Sequence, residues 1–326
     1  MTARSEASTS RGIVLVTGGA GFIGSHVCTA LLACGRRVRV LDDLSTGHLE
    51  NLAHLSVGRE PRLEVVEGSI LDANLLTEAM REVSEIVHLA AKTSVAESVG
   101  APALYQRVNV EGTAMVCTAA QRADIKRLVF AASSSAYGLR PPPHDETDAP
   151  DPTSPYAATK LEGEALVHAL AQSSAVDAVA LRFFNIYGPR QDPSSAYAAV
   201  IARVMARVAA NETLTVFSDG LQTRDFVHAA DTARAVVAAL DAKVRLSGAV
   251  INIGTGNATT VLELAKQVGL VLGKRVTVTH APAREGEVRH SVATVARAER
   301  LLGFKATTAL FDGLRTMLER AARDDR

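Results

Sequence analysis

The chain has 326 residues, enough for two domains or for one large α/β unit with an appended lobe. Hydrophobic residues make up 47% and charged residues 21%, which supplies a packed core and excludes wholesale disorder. Lys+Arg and Asp+Glu both number 35, and this balance argues against nucleic-acid binding through bulk charge.

Residues 1–11 are polar and Ser/Thr-rich, lack the apolar segment of a secretory signal, and read as a flexible leader outside the fold. Ile13–Thr17 is a continuous apolar run ending in glycines, as a strand buried on both faces requires. A helix is predicted over 24–33, followed by strands over 37–41, 63–67 and 86–90. A helical stretch over 103–121 leads to a strand over 127–132. A helix over 156–171 and a strand over 178–183 follow. This alternation implies right-handed crossovers and a doubly wound, mainly parallel Rossmann sheet covered on both faces.

The pattern changes past Tyr187. Residues 188–196 (GPRQDPSSA) are turn-rich. Helices over 197–209, from Ala230 and over 261–272 then alternate with short strands over 214–217 and 250–253. Residues 12–187 are expected to form the main domain and 188–326 a smaller α/β lobe closing over the sheet's carboxyl edge. Segments near 226–256 are expected to return to the main domain. No apolar run reaches the roughly 18 residues of a membrane span. The three cysteines, Cys28, Cys34 and Cys117, are too scattered for a disulfide framework or a CxxC metal site and fit a reducing, cytoplasmic setting. Cys28 and Cys34 read as small helix-packing residues.

The first strand runs into TGGAGFIG, in which Gly18, Gly21 and Gly24 form G-x-x-G-x-x-G before a helix. Glycines there turn tightly, admit backbone N–H groups to a pyrophosphate and let helix pack on strand. The helix N-terminus adds positive potential. Glycines also mark ordinary turns, but the strand–turn–helix context selects a dinucleotide site and makes residues 12–187 its domain. Asp42 and Asp43 end the second strand, where an acid accepts from adenosine ribose hydroxyls. Two carboxylates with no adjacent Arg favour NAD over NADP; for Asp43 a plain solvated acid is the alternative.

Ser154-Pro155-Tyr156-Ala157-Ala158-Thr159-Lys160 opens a helix, and Tyr156 and Lys160, four apart, share a face. A free phenol has a pKa of about 10, and lowering it to about 7 takes roughly 4 kcal/mol. A cation about 4 Å away supplies a term of that size at an effective dielectric near ~20. Lys160 is therefore expected to make Tyr156 a working base. Tyr-x-x-x-Lys alone is common on solvated faces. Here Ser133, Ser134 and Ser135 follow the fifth strand, at the edge where open α/β sheets bind ligands; a Ser-rich turn is the plainer reading. His88 reads as a packed core residue, and no His/Cys/Asp spacing suggests a metal site.

The ordered runs TGGAGFIG, LDDLSTG, HLAAKTSV, NVEGT, SSSAYG, SPYAATK, RFFNIYGPRQ, RDFVH and REGEVRHS resemble the extended short-chain dehydrogenase/reductase superfamily, its NAD-dependent nucleotide-sugar epimerases and dehydratases. The resemblance spans residue 12 to about 310 and points to a UDP-hexose 4-epimerase, with RQDPSSAYAAVI and REGEVRHS closest to the branch acting on UDP-N-acetylglucosamine. It implies catalytic roles for Ser133, Tyr156 and Lys160. It implies NAD contacts at Gly18, Gly21, Phe22, Ile23, Gly24, Asp42, Asp43, Ser45, Gly47, Ser69, Ile70, Leu89, Ala90, Ala91, Asn109, Tyr156, Lys160 and Phe183. Substrate contacts are implied at Ser94, Ser133, Ser134, Tyr156, Asn185, Ala199, Val200, Phe217, Arg224, Arg284, Glu287 and Ser291. Arg224 and Arg284 would clamp the diphosphate, and Glu287 would accept from ribose hydroxyls.

Two positions depart from the family pattern: Ser69 stands where an acid often follows the third strand's glycine, and Thr294 stands where the family has Asp. Ser291 falls at a gate of the sugar pocket, where a small side chain leaves room for an acetamido group. A uronate epimerase, decarboxylase or dehydratase is the alternative on this scaffold, but a 4,6-dehydratase places Asp-Glu where this chain has Ser134 and Ser135. A non-catalytic NAD-binding sensor is the alternative of a different class. Family members commonly pair through the helix carrying Tyr156 and the one before the fifth strand, so a homodimer is expected.

Overall fold

The computed structural model describes residues 12–191, 199–283 and 288–324. Its centre is a seven-stranded parallel sheet. Six strands come in chain order: β1 (Ile13–Thr17), β2 (Arg37–Asp42), β3 (Leu63–Glu67), β4 (Val83–His88), β5 (Arg127–Ser133) and β6 (Asp177–Phe183). The seventh, Ala249–Ile253, returns from the second half to pair with β6, with Ile253 beside Phe183. Across the sheet the order is Ala249–Ile253, β6, β5, β4, β1, β2, β3.

Apolar side chains alternate between two faces because strand side chains do. Val14 and Val16 pack with helices Phe22–Ala33 and Ala229–Asp241. Ile13 and Leu15 pack with helices Gly112–Arg122 and Pro155–Ser173. A separate core, including Val204, Val208, Leu264 and Leu314, holds the small lobe. The chain reverses its direction of progress between β1 and β4, with Thr17 paired to His88. That switch point opens a crevice at the carboxyl edge.

Three sequence expectations need correction. The fourth strand ends at His88. Leu89 and Ala90 instead fold over β1, where their N–H groups bond the carbonyl and Oγ1 of Thr17 at 3.1 and 3.3 Å. The helix predicted over 103–121 is interrupted by a π-helical turn, Gln106–Glu111, between Pro102–Tyr105 and Gly112–Arg122. Its widened turn turns Asn109 inward, a common use of such bulges. Cys34 is exposed at the end of helix Phe22–Ala33 and not in the core, whereas Cys28 is buried.

Candidate active site

The carboxyl ends of β1, β2, β4, β5 and β6 open into a cleft of about 1110 Å³ that the small lobe helps to wall. At one end stand the three glycines, each for a different reason. Gly18 has φ +70°, and a Cβ there would lie 2.7 Å from the Ala90 nitrogen. A Cβ on Gly24 would lie 2.1 Å from the Gly18 carbonyl oxygen. A Cβ on Gly21 would meet only that same oxygen, at 3.2 Å, so its other side is open. Helix Phe22–Ala33 begins there with no side-chain cap and no acid in its first turn. A bare cradle and orphan N–H donors fit a pyrophosphate.

Asp42 is buried beside this turn and accepts from the Ala20 and Leu44 nitrogens at 2.9 and 3.0 Å. Burial pushes its carboxyl pKa up, against those two bonds. A Cβ on Gly47 would lie 2.8 Å from Asp42 Oδ1, which explains the glycine. Asp43, Ser45, Ser69 and Ile70 line the same end, with Phe22, Ile23, Leu89, Ala90, Ala91 and Phe183. A carboxylate, a glycine turn and apolar walls together suit a dinucleotide.

Farther along stand Ser133, Tyr156 and Lys160. Ser133 ends β5, and its Oγ accepts from the Ser135 nitrogen at 3.2 Å. Ser154 caps helix Pro155–Ser173 by accepting from the Ala157 nitrogen at 3.2 Å, with Pro155 in the first turn. This start places Tyr156 and Lys160 one turn apart, both buried and both on the cleft wall. Burial pushes the Tyr156 phenol up, and the neighbouring Ser133 side chain acts the other way. Burial lowers Lys160 to about 8, with Glu164 opposing. The Lys160 ammonium donates to the Ala131 carbonyl at 2.9 Å. The phenol and the ammonium thus share one wall of the cleft.

Asn109 does not line the cleft. Its side chain is buried behind the wall and binds Lys92 and Thr159. Ser94, Ser134, Asn185, Val200, Arg224 and Ser291 line the far end. Arg224 is steadied by the Thr223 carbonyl at 2.8 Å, and Asp225 beside it accepts from Thr255, Gly256 and Ala293 nitrogens. Phe217 ends strand Leu214–Phe217 in the small lobe and is not on the cleft wall. Ala199 starts helix Ala199–Ala209. Arg284 and Glu287 lie outside the described residues.

Ser135 lines the cleft with the other two serines, and sequence reading missed Arg190 and Gln191, which line it too. Gln191 donates to the Ile186 carbonyl at 3.2 Å, while its Oε1 is buried with no donor among the described residues. The turn-rich run over 188–196 was the available signal. No His/Cys/Asp/Glu group among the described residues is arranged to hold a metal ion. None of the helices among the described residues is long and apolar enough to cross a membrane.

A glycine turn at a sheet's switch point, with a buried phenol and a buried ammonium along the same crevice, defines a dinucleotide-dependent α/β enzyme class. Residues 14–254 match the NAD dependent epimerase/dehydratase family, and the chain belongs to it. It is 38% identical to a UDP-glucose 4-epimerase of Mycolicibacterium smegmatis, over 94% of this chain and 97% of that protein. A UDP-N-acetylglucosamine 4-epimerase from Methanobrevibacter ruminantium, solved with UDP-N-acetylmuramic acid, superposes with TM-score 0.89 at 32% identity, covering 97% and 100% of the two chains. A UDP-glucuronic acid 4-epimerase from Bacillus cereus, solved with UDP-glucuronic acid and NAD, superposes with TM-score 0.87 at 31% identity, covering 95% and 99%.

Proposed function

We propose that this chain interconverts C4 epimers of a UDP-hexose, with NAD as a recycled cofactor. The observation that carries the reading is the convergence of Ser133, Tyr156 and Lys160 on the glycine-turn cleft. Residues 12–187 with the returning segments near 226–256 would hold NAD, and 188–326 the nucleotide sugar. The glycine turn takes the pyrophosphate and Asp42 the adenosine ribose, with Asp43, Ser45, Gly47, Ser69 and Ile70 around them. When bound, NAD supplies reversible hydride acceptance from C4.

Tyr156 removes the 4-hydroxyl proton, and Ser133 shares the proton path. Lys160 keeps a positive charge beside the pair. Arg224, with Arg284, anchors the diphosphate while the 4-keto hexose turns over. Ser94, Ser134, Asn185 and Ser291 leave a small-sided pocket for that turn. Tyr156 then returns its proton to the 4-oxygen of the turned sugar, whose opposite C4 face now lies toward the cofactor end of the cleft.

The small side chains Ser134 and Ser291 support both plain and N-acetylated hexoses as substrates. A uronate is the competing substrate class, carried by the likeness to the Bacillus cereus enzyme. We also infer a homodimer through helices Gly112–Arg122 and Pro155–Ser173, where exposed Thr118, Ala165 and Ala169 would admit a close partner. Three free cysteines suit a reducing, cytoplasmic setting.

The test is a panel of UDP-glucose, UDP-N-acetylglucosamine and UDP-glucuronate with the NAD-loaded chain, followed by NMR for C4 products. C4 exchange is expected with the first two. Water or CO2 loss, or no exchange with any sugar despite bound NAD, overturns the reading. Tyr156→Phe should abolish turnover and leave nucleotide-sugar binding largely intact.

A further inference from the structure

We propose that Arg190 binds the pyrophosphate of the dinucleotide from the side opposite the glycine turn, and that residues 188–191 form a strap that retains the cofactor. The assignment rests on the NAD-recycling reading for its purpose, since a recycled cofactor must stay bound between turnovers. Its geometry rests on the contacts of the strap.

Residues 188–191 follow the short strand Asn185–Tyr187, where the second half of the chain begins. Two contacts fasten them to the cofactor half. His26 Nε2, on helix Phe22–Ala33, lies 2.9 Å from the Pro189 carbonyl oxygen. A carbonyl only accepts, so that nitrogen donates. Arg190 Nη1 donates to His54 Nε2 at 2.8 Å. His54 belongs to the 3-10 segment Leu49–Leu55, which is itself tied to the glycine turn. The His48 nitrogen and Asn51 Nδ2 both donate to the Ala20 carbonyl, at 3.1 and 2.9 Å. Arg190 thus joins the strap to the elements that border the cradle, and it lines the cleft.

The backbone of the strap is fixed in an unusual shape. Arg190 has φ +68°. A side-chain-bearing residue in that left-handed region is uncommon and persists where its surroundings over-determine it. Here both neighbours are held: Pro189 by His26, and Gln191 by its Nε2 donating to the Ile186 carbonyl at 3.2 Å. The direction in which the arginine leaves the strap is therefore set by its flanks.

Charge gives this position its use. A helix N-terminus is equivalent to roughly half a positive charge, whereas each phosphate of a pyrophosphate carries a full negative one. Helix Phe22–Ala33 begins with no basic side chain in the glycine turn, and Asp42 and Asp43 add negative charge at the same end. The Lys and Arg side chains that line the cleft among the described residues are Lys92, Lys160, Arg190 and Arg224. Lys160 is held on the Ala131 carbonyl, Lys92 has its backbone gripped by Asn109, and Arg224 belongs to the far strand Thr223–Arg224. Arg190 is the cation fastened to the surroundings of the cradle. Its five N–H donors in a planar fork suit a diphosphate.

The experiment follows release of NAD from the loaded full chain, by counting nucleotide per chain at intervals after rapid gel filtration. Calorimetry on the stripped chain with ADP, adenosine and UDP runs beside it. Arg190→Met should release NAD about ten- to a hundredfold faster, the effect of one lost charge-assisted contact. Its affinity for ADP should fall in step, while adenosine, which has no phosphate, and UDP should bind as to the parent. Unchanged UDP binding also shows that the variant is folded. Arg190→Lys keeps a charge without the fork and should lie between. Unchanged NAD release in Arg190→Met overturns the proposal. So does a loss shared equally by adenosine and ADP, which would make the strap a cover without a phosphate contact. A loss confined to UDP would move the guanidinium to the nucleotide sugar and overturn it as well. If the loaded parent exchanges no sugar at C4, the epimerase reading fails, while the release rates still decide the role of Arg190.

Discussion

The Asn109 side chain grips both backbone polar groups of Lys92. Its Oδ1 accepts from the Lys92 nitrogen at 2.8 Å, and its Nδ2 donates to the Lys92 carbonyl at 3.0 Å. The same Nδ2 donates to Thr159 Oγ1 at 3.1 Å, and Thr159 Oγ1 in turn donates to the Tyr156 carbonyl at 2.8 Å. One carboxamide thus ties the loop after β4 to the turn that carries Tyr156. Asn109→Ala should lower the unfolding free energy by about 1–3 kcal/mol, because buried backbone groups lose their partners. Asn109→Asp keeps an acceptor for the Lys92 nitrogen but loses the donor, and should fall between. Urea denaturation of the three chains, with kcat measured alongside, checks this. An alanine variant as stable and as fast as the parent would contradict the tie.

The glycine turn offers a sharper contrast between folding and binding. Gly21 sits at φ −73° and ψ 175°, which any residue adopts, and its missing side chain faces open cleft. Gly24 faces the Gly18 carbonyl at a distance no Cβ tolerates. Gly21→Ala should fold with nearly unchanged Tm and bind NAD at least about tenfold more weakly, the effect of about 1.4 kcal/mol. Gly24→Ala should lose Tm before any cofactor is added, since the helix must shift off β1. Thermal melts with and without NAD separate the two.

Those glycines were legible from the sequence because one local turn dictates them, and so were the long strands, whose apolar runs are continuous. The same holds for Tyr156 and Lys160, whose spacing alone puts them on one face of a helix. Asn109 shows where legibility ends: a π-helical turn, not periodicity, directs it, and its partner Lys92 is 17 residues away. The two- to four-residue strands of the small lobe, such as Thr223–Arg224 and His290–Ser291, are too short to carry a period. Tyr156 was expected to feel Lys160 first. The contact of that ammonium with the Ala131 carbonyl, 29 residues away in sequence, carried no local signal.

Lys160 gives a prediction about stability against pH. Its folded-state pKa is lowered to about 8 from 10.5, so the unfolded chain binds the proton more readily. The penalty is fully present below about pH 8 and is relieved as pH rises toward 10.5, so this group makes stability rise with pH in that window. Lys160→Met should remove that rise and make the apoprotein more stable at neutral pH by on the order of 1 kcal/mol, while epimerisation is lost. Denaturant titrations at a neutral and an alkaline pH measure it. An identical rise in the Met variant would show that other groups cause it.

Ser291 tests the width of the sugar pocket. It lies on strand His290–Ser291, paired to Arg224 across the strand Thr223–Arg224, and lines the cleft while being largely buried. The strand is fixed from behind: Asp225 accepts from the Ala293 nitrogen, and the His144 nitrogen donates to the Val292 carbonyl at 2.8 Å. A larger side chain at 291 therefore cannot back away and must fill the cleft. Ser291→Tyr should exclude the bulkier acetamido sugar first. The expected result is a fall of about tenfold or more in kcat/KM for UDP-N-acetylglucosamine, with UDP-glucose affected much less. Parallel kinetics on the two substrates make the comparison within one variant, so a general loss of folding cannot imitate it. Equal loss on both sugars would mean that the acetamido group does not pass this position.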